Sequence, residues 1–181
     1  YGGVFAEFKY QFNTNYRESD TTDEEAMKLI DEKFGAGKAE RLAPLFKATF
    51  PELKLVDLLN LETGSFRAGT RELITRRMTD GATAPTYNYL FAPGCKINEH
   101  STPVHSYEIP FFLHNTAIIH SNDLVGGYEV TKLVELQCSG RLANFARYGT
   151  PQLPGQVEWL PCTEGHIQTL IIDGNTRTFD N

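Results

Sequence analysis

Long hydrophobic runs are missing from this sequence of 181 residues. The longest, Ile109 to Leu113, falls far short of the roughly 20 residues needed to cross a bilayer, which excludes a membrane span. Basic charge is in deficit: 17 Lys and Arg stand against 23 Asp and Glu, giving a net charge of −6 and no cationic surplus for phosphates. Nucleic acid is therefore not an expected partner. Cysteine is scarce, and Cys95, Cys138 and Cys162 form an odd set without CxxC spacing, which argues against a disulfide framework and against a zinc site. There is no Asn-x-Ser/Thr sequon and no basic start followed by an apolar stretch. The first residue is Tyr1, so a removed or omitted upstream segment is expected. Few cysteines, no sequon and a pI near 5.4 lean toward a bacterial cytoplasm. Internal repeats and low-complexity stretches are also absent.

What is present suits one globular domain. Hydrophobic residues make up 40%, charged residues 22% and aromatics 12%, a mixture that buries a core and lacks the signature of disorder. Gly2 to Phe12 reads as an extended segment running into a turn at Asn13-Thr14-Asn15. Thr22-Asp23-Glu24-Glu25 has the form of a capping box, and Ala26, Met27, Ile30 and Phe34 follow at helical spacing until Gly35. Lys38 to Phe46 and Leu53 to Leu61 read as two shorter helices separated by Phe50-Pro51, on the rule that proline does not sit in a helix interior. A further helix is expected over Ser65 to Met78, with Phe66, Leu73, Ile74 and Met78 as its apolar stripe, and a strand over Thr86 to Phe91. Cys95 to Val104 reads as a loop. Val130, Val134, Cys138, Leu142 and Phe145 mark the core stripe of a long helix ended by Gly149 and Pro151, and Ile167 to Ile172 is a last strand. This order is that of an α/β protein.

His105 stands out among the five histidines. It lies in a loop after a predicted strand, with Ser106 beside it and Glu108 three residues on. Loops at the carboxyl ends of strands are where α/β proteins build sites, and an imidazole there titrates near neutrality and shuttles protons. His100, His114 and His120 lie nearby, but the spacing of the four histidines fits no metal-ligand pattern, and no metal is expected. His114, after the apolar run, reads as a satisfied histidine under a loop. Gly126-Gly127 belongs to neither GxxxxGK[ST] nor GxGxxG and reads as a turn.

The run Val104-His105-Ser106-Tyr107-Glu108-Ile109-Pro110-Phe111-Phe112 resembles the histidine motif of the type-B carboxylesterase and cholinesterase family. Downstream, Leu142-Ala143-Asn144-Phe145-Ala146-Arg147-Tyr148-Gly149-Thr150-Pro151 followed by Trp159-Leu160-Pro161 is similar to a second segment of that family, in the right order and at the right gap. Phe66-Arg67 and the Tyr87-x-Tyr89-x-Phe91 strand resemble the stretch before the histidine loop. The resemblance implies that residues 1–181 are the C-terminal part of an α/β-hydrolase fold, the last strands and helices of a mostly parallel sheet, corresponding to roughly the last third of a family member. It implies a serine carboxylesterase working through an acyl-enzyme, a small-molecule ester substrate, no cofactor, and the remainder of the hydrolase domain as partner.

In that fold the triad runs Ser, then Asp or Glu, then His, with the nucleophile in a G-x-S-x-G elbow. No serine of this sequence has glycines at both flanking positions, so the nucleophile and the oxyanion hole are expected outside it, and the chain alone is expected to be inactive. For the acid, the family places a Glu five residues after a glycine that follows a strand; Gly2 and Glu7 have that spacing, although Ala6 and Phe8 replace the usual Asp and Gly. A carboxylate on one imidazole nitrogen fixes the tautomer and frees the other nitrogen to take a proton from a hydroxyl. Glu7 is the first choice for that role and Glu108, in the family a supporting residue, the second. Far apart in sequence, Glu7 and His105 meet only if both strand ends rise at one edge of one sheet. Ser106 is a further supporting residue, and Tyr107, Phe111 and Phe112 read equally as pocket lining or as core. A non-catalytic, cholinesterase-like binding or adhesion module is the alternative function, and an unrelated small α/β domain the third reading.

Overall fold

The computed structural model of the chain describes residues 2–4, 20–61, 65–95, 102–103, 105–118 and 124–180. Strand β1 (Gly2–Val4) is followed by helices α1 (Asp23–Phe34) and α2 (Lys38–Thr49), a 3-10 helix (Leu55–Asn60) and α3 (Ser65–Thr79). Then come strand β2 (Asn88–Phe91), the short helix α4 (Ile109–Phe112), a 3-10 turn (Thr116–Ile118), the long helix α5 (Gly127–Tyr148), and strands β3 (Gln168–Ile172) and β4 (Arg177–Asp180). The sheet order is β1-β2-β3-β4. The first three strands are parallel, with Val4 beside Phe91 and Phe91 beside Ile172, and β4 runs antiparallel to β3.

Successive side chains in a strand point to opposite faces, and the two central strands sort accordingly. Leu90 and Ile171 pack with Ile30, Phe46, Val56 and Leu58 on the side of α1, α2 and the first 3-10 helix. Tyr89, Phe91, Leu170 and Ile172 pack with Phe111, Val134, Cys138 and Trp159 on the side of α4 and α5. Helix α3 closes a smaller cluster of Ile74, Cys162 and Ile167. Cover on both faces explains why the central strands end in apolar runs, Tyr89-Leu90-Phe91 and Leu170-Ile171-Ile172.

Most of the expected elements are present. At the start of α1 the Thr22 hydroxyl accepts the Glu25 amide at 3.2 Å while the Glu25 carboxylate accepts the Thr22 amide at 2.9 Å, the reciprocal capping box. Several expectations need correction. The break at Phe50-Pro51 is where it was expected, with Phe50 capping α2, while Pro44 sits inside that helix, which forgoes one backbone bond and stays anchored by Ala39 and Phe46, both buried. The segment expected as a helix over Leu53 to Leu61 is a 3-10 helix, in which the buried Asp57 carboxylate folds back to accept the Lys54 amide at 3.0 Å. Leu73 is exposed while Ile74 of the same stripe is fully buried. Strand β4 was not expected; its sequence, Arg177-Thr178-Phe179-Asp180, has one apolar residue and forms an exposed sheet edge.

The α5 stripe departs in an instructive way. Val134 and Cys138 are fully buried, but Leu142 and Phe145 are exposed. Steps of four residues overshoot a 3.6-residue turn by about 40° each, so a stripe drawn at Val130, Val134, Cys138 and Leu142 rotates away from the sheet. The position that stays beneath is Arg141, which is fully buried. The extended reading of residues 5–12, the turn at 13–15 and most of the loop after Cys95 lie outside the described residues.

Candidate active site

Strands β1 and β2 are parallel and in register, so the chain leaves Val4 and Phe91 at the same edge of the sheet. Glu7 itself, three residues beyond β1, lies outside the described residues, as do His100 and His120. His105 is exposed and opens a tight turn leading into α4. Its neighbour Ser106 holds a left-handed backbone, φ 67°, and the Ser106 carbonyl accepts the Ile109 amide at 3.2 Å. Glu108, half-buried, stands at the N-terminal cap position, its carbonyl accepting the amides of Phe111 and Phe112 at 3.0 and 3.1 Å.

The aromatics after His105 divide between core and cavity. Phe111 is fully buried, 5.0 Å from the Phe91 ring, with Tyr107 edge-on at 5.8 Å; it belongs to the core rather than to a pocket. Phe112 lies 4.9 Å from Tyr89 and lines a cleft of about 630 Å³. The cleft runs between α4, α5 and the approach to β2, walled by Tyr87, Tyr89, Phe112, Leu142, Phe145 and Trp159, with Arg77, Glu108 and Arg141 among its polar groups. His105 is not among the lining residues.

Sequence reasoning missed the polar framework of this cleft. Arg141 donates to the carbonyls of Pro151 and Val157 at 3.2 and 2.7 Å and places its guanidinium 5.9 Å from the Trp159 ring. Trp159 in turn donates its indole N–H to the Asn88 carbonyl at 2.8 Å, tying the 151–159 loop to β2. The signal was available, because a strict 3.6-residue count from Val134 lands on residue 141. Burial pushes the Cys138 thiol pKa up, against the pull of Arg141 and with a further push from Glu108, so this cysteine is no nucleophile.

Helix α5 carries a second polar cluster. The buried Glu135 carboxylate accepts the Thr116 amide at 2.8 Å, the Thr116 hydroxyl at 2.6 Å and the Lys132 ammonium at 2.7 Å. Burial pushes its pKa up, but these partners outweigh burial and hold it at about 2. His114, expected under a loop, is exposed, with Nδ1 3.4 Å from Ser139 Oγ and 3.7 Å from a Glu135 oxygen. Serine and carboxylate thus face the same ring nitrogen, which is not the arrangement of a catalytic triad. Among the described residues, no group of His, Cys, Asp and Glu is placed to hold a metal ion, and no helix is long and apolar enough to cross a membrane.

No protein-family model matches the chain, and no curated protein sequence matches it. Solved structures do. An esterase from the anaerobe Clostridium hathewayi, which can hydrolyze aliphatic aromatic polyesters, superposes with a TM-score of 0.86 at 28% identity over 99% of this chain and 34% of its own. A PNB esterase gives a TM-score of 0.59 at 18% identity over 99% of this chain and 35% of its own. A thermophilic PNB esterase gives 0.50 at 18% identity. The chain spans about a third of the length of these enzymes. Its fold is that of the C-terminal part of an α/β-hydrolase, and across 99% of its length the chain resembles esterases of that fold.

Proposed function

We propose that this chain is the histidine-bearing part of a serine carboxylesterase, with residues 1–181 forming the C-terminal portion of the hydrolase domain. The likeness to the C. hathewayi esterase, at 28% identity over 99% of the chain, carries the reading. The parallel β1–β2 pair supports it, since residues following either strand start from one sheet edge.

In this reading a serine supplied by the rest of the domain attacks the ester carbonyl. His105 removes the hydroxyl proton as the new C–O bond forms and returns it to the departing alcohol, leaving an acyl-enzyme. Water, deprotonated by the same imidazole, then releases the acid. Glu7 orients the imidazole and stabilises its protonated form; Glu108 and Ser106 shape the turn that presents it. The substrate is a small-molecule carboxylic ester, and the three buried free cysteines suit a reducing compartment such as a bacterial cytoplasm.

The test is turnover of a chromogenic nitrophenyl ester by the full-length protein. His105→Ala is expected to lower kcat by about three to six orders of magnitude, as triad deletions do. Glu7→Gln should cost less, yet far more than Glu108→Gln. The reverse ranking would make Glu108 the acid, and undiminished turnover in His105→Ala would overturn the reading and favour a binding module.

A further inference from the structure

A general base must be held within a fraction of an ångström of its working position. Helix α4 is a single turn of four residues, and among the described residues the backbone–backbone hydrogen bonds of 105–118 stay inside the segment, from Ile109 to Ser106 through Ile118 to Asn115. Ring contacts such as Phe111 on Phe91 fix its depth but are tolerant of sliding and rotation. A directional tie to the rest of the fold lies at the far end of the segment, where His114 meets Ser139 of α5 at 3.4 Å and Thr116 is buried against the same helix.

There Glu135, 1% exposed, receives both the backbone N–H and the hydroxyl of Thr116 on one carboxylate oxygen. Lys132, one turn back on α5, donates to the other oxygen at 2.7 Å and to the Thr116 hydroxyl at 3.1 Å, closing the ring of contacts. A carboxylate gripping a backbone amide sets the position and the rotation of the chain together, because hydrogen bonds to an ion are strong and directional. Burying an acid on a helix that has apolar alternatives is costly unless it is fully paired, so this placement is not explained by packing.

We propose that Glu135 is a positioning residue for the esterase reaction: by clamping Thr116 it fixes α4 and the turn that presents His105. The inference rests on the esterase reading above. The cluster touches no substrate; it acts through the His105 segment, as outer-layer partners orient catalytic groups elsewhere.

The experiment compares Glu135→Gln, Thr116→Val, Thr116→Ser and His105→Ala in the full-length protein. Turnover of the nitrophenyl ester is referred to the number of sites titrated by an organophosphonate, so misfolded molecules do not count. Glu135→Gln and Thr116→Val are expected to lower kcat per site about 10- to 100-fold with KM changed less than about twofold, the size of effect that small misplacements produce. Thr116→Ser, which keeps both bonds, should restore at least half of the wild-type kcat. Should Glu135→Gln fail to fold, the Thr116 pair decides the matter. Wild-type kcat per site in folded Glu135→Gln and Thr116→Val, or a loss carried by KM alone, overturns the proposal. Full turnover in His105→Ala instead overturns the esterase reading, and the proposal falls with it.

Discussion

On the side of the sheet packed by α1, α2 and the first 3-10 helix, the residues meeting Leu90 and Ile171 are mostly aliphatic, and Ala26 and Ile30 are wholly buried. On the opposite side, rings dominate, two charged residues, Glu135 and Arg141, are buried on α5, and a cleft of about 630 Å³ stays open between α4 and α5. The first face buries a charge too, Asp57, but its carboxylate is met locally, by the Lys54 amide three residues back. The second accepts the cost of buried charge and of exposed apolar rings, and it is the face that carries the His105 segment. A face that sacrifices packing to hold polar groups in fixed places is where site chemistry is to be sought.

The sharpest test of that contrast is a pair of truncations. Ile30→Ala, in the closed face, is expected to cost about 2–5 kcal/mol of folding free energy, the usual range for a fully buried aliphatic side chain. Phe145→Ala removes a larger side chain, but one that is 44% exposed and whose ring contact is an edge-on pairing with Tyr87 at 5.9 Å. It should cost only about 1 kcal/mol. Denaturant melts of the two variants measure the difference. An equal loss would erase the contrast and mean that the cleft is filled in the whole molecule.

Acid should act on the second face first. Glu135 has an unfolded-state pKa near 4.5 and about 2 when folded, so its contribution to stability is complete above pH 4.5 and is lost as pH falls from about 4.5 to 2. At about 1.4 kcal/mol per pKa unit the loss is on the order of 3 kcal/mol. The pKa values of Glu25 and Asp31 on the other face are also lowered, the first chiefly by the Thr22 amide and the second by the Ala39 and Gly37 amides, but Glu25 is exposed and Asp31 only half-buried, so solvent screening weakens their effect. Unfolding midpoints against pH for the wild type and Glu135→Gln provide the check. The two curves should converge across that window, and parallel curves would remove Glu135 from the acid response.

The legibility of the two faces in the sequence follows the same divide. The closed face was readable because local rules agree there: the Thr22–Glu25 box, the spacing of Ala26 and Ile30 and the stop at Gly35 all point to α1. The order of most elements was also readable, since the central strands β2 and β3 lie in apolar stretches bounded by turn residues. The cleft face was half legible. His105 announced itself through its neighbours, yet Arg141 and Glu135 did not, because apolar patterning treats a charged residue as outward-facing by default. Only a tertiary partner, the 151–159 carbonyls for Arg141 and Thr116 for Glu135, makes either burial tolerable. Strand β4 was invisible for the converse reason: its pairing with β3 is through backbone, as in Thr169 beside Phe179, and asks little of its side chains.

The smallest expected effect lies at the turn itself. Ser106 adopts φ 67°, a left-handed conformation that costs an L-residue about 1–2 kcal/mol and glycine almost nothing. Glycine in turn gives the unfolded chain more freedom, which takes back about 0.5–1 kcal/mol. The balance makes Ser106→Gly stabilising by about 0.5–1 kcal/mol. If the strain serves only to turn the chain after His105, ester turnover should be unchanged while the melting temperature rises. If turnover falls as stability rises, the serine contributes to the site beyond its backbone, through its hydroxyl or through the rigidity that a Cβ imposes next to the histidine. A destabilised Ser106→Gly would show instead that the side chain makes contacts worth more than the strain, and the turn would then belong to the tightly packed part of the fold rather than to its open face.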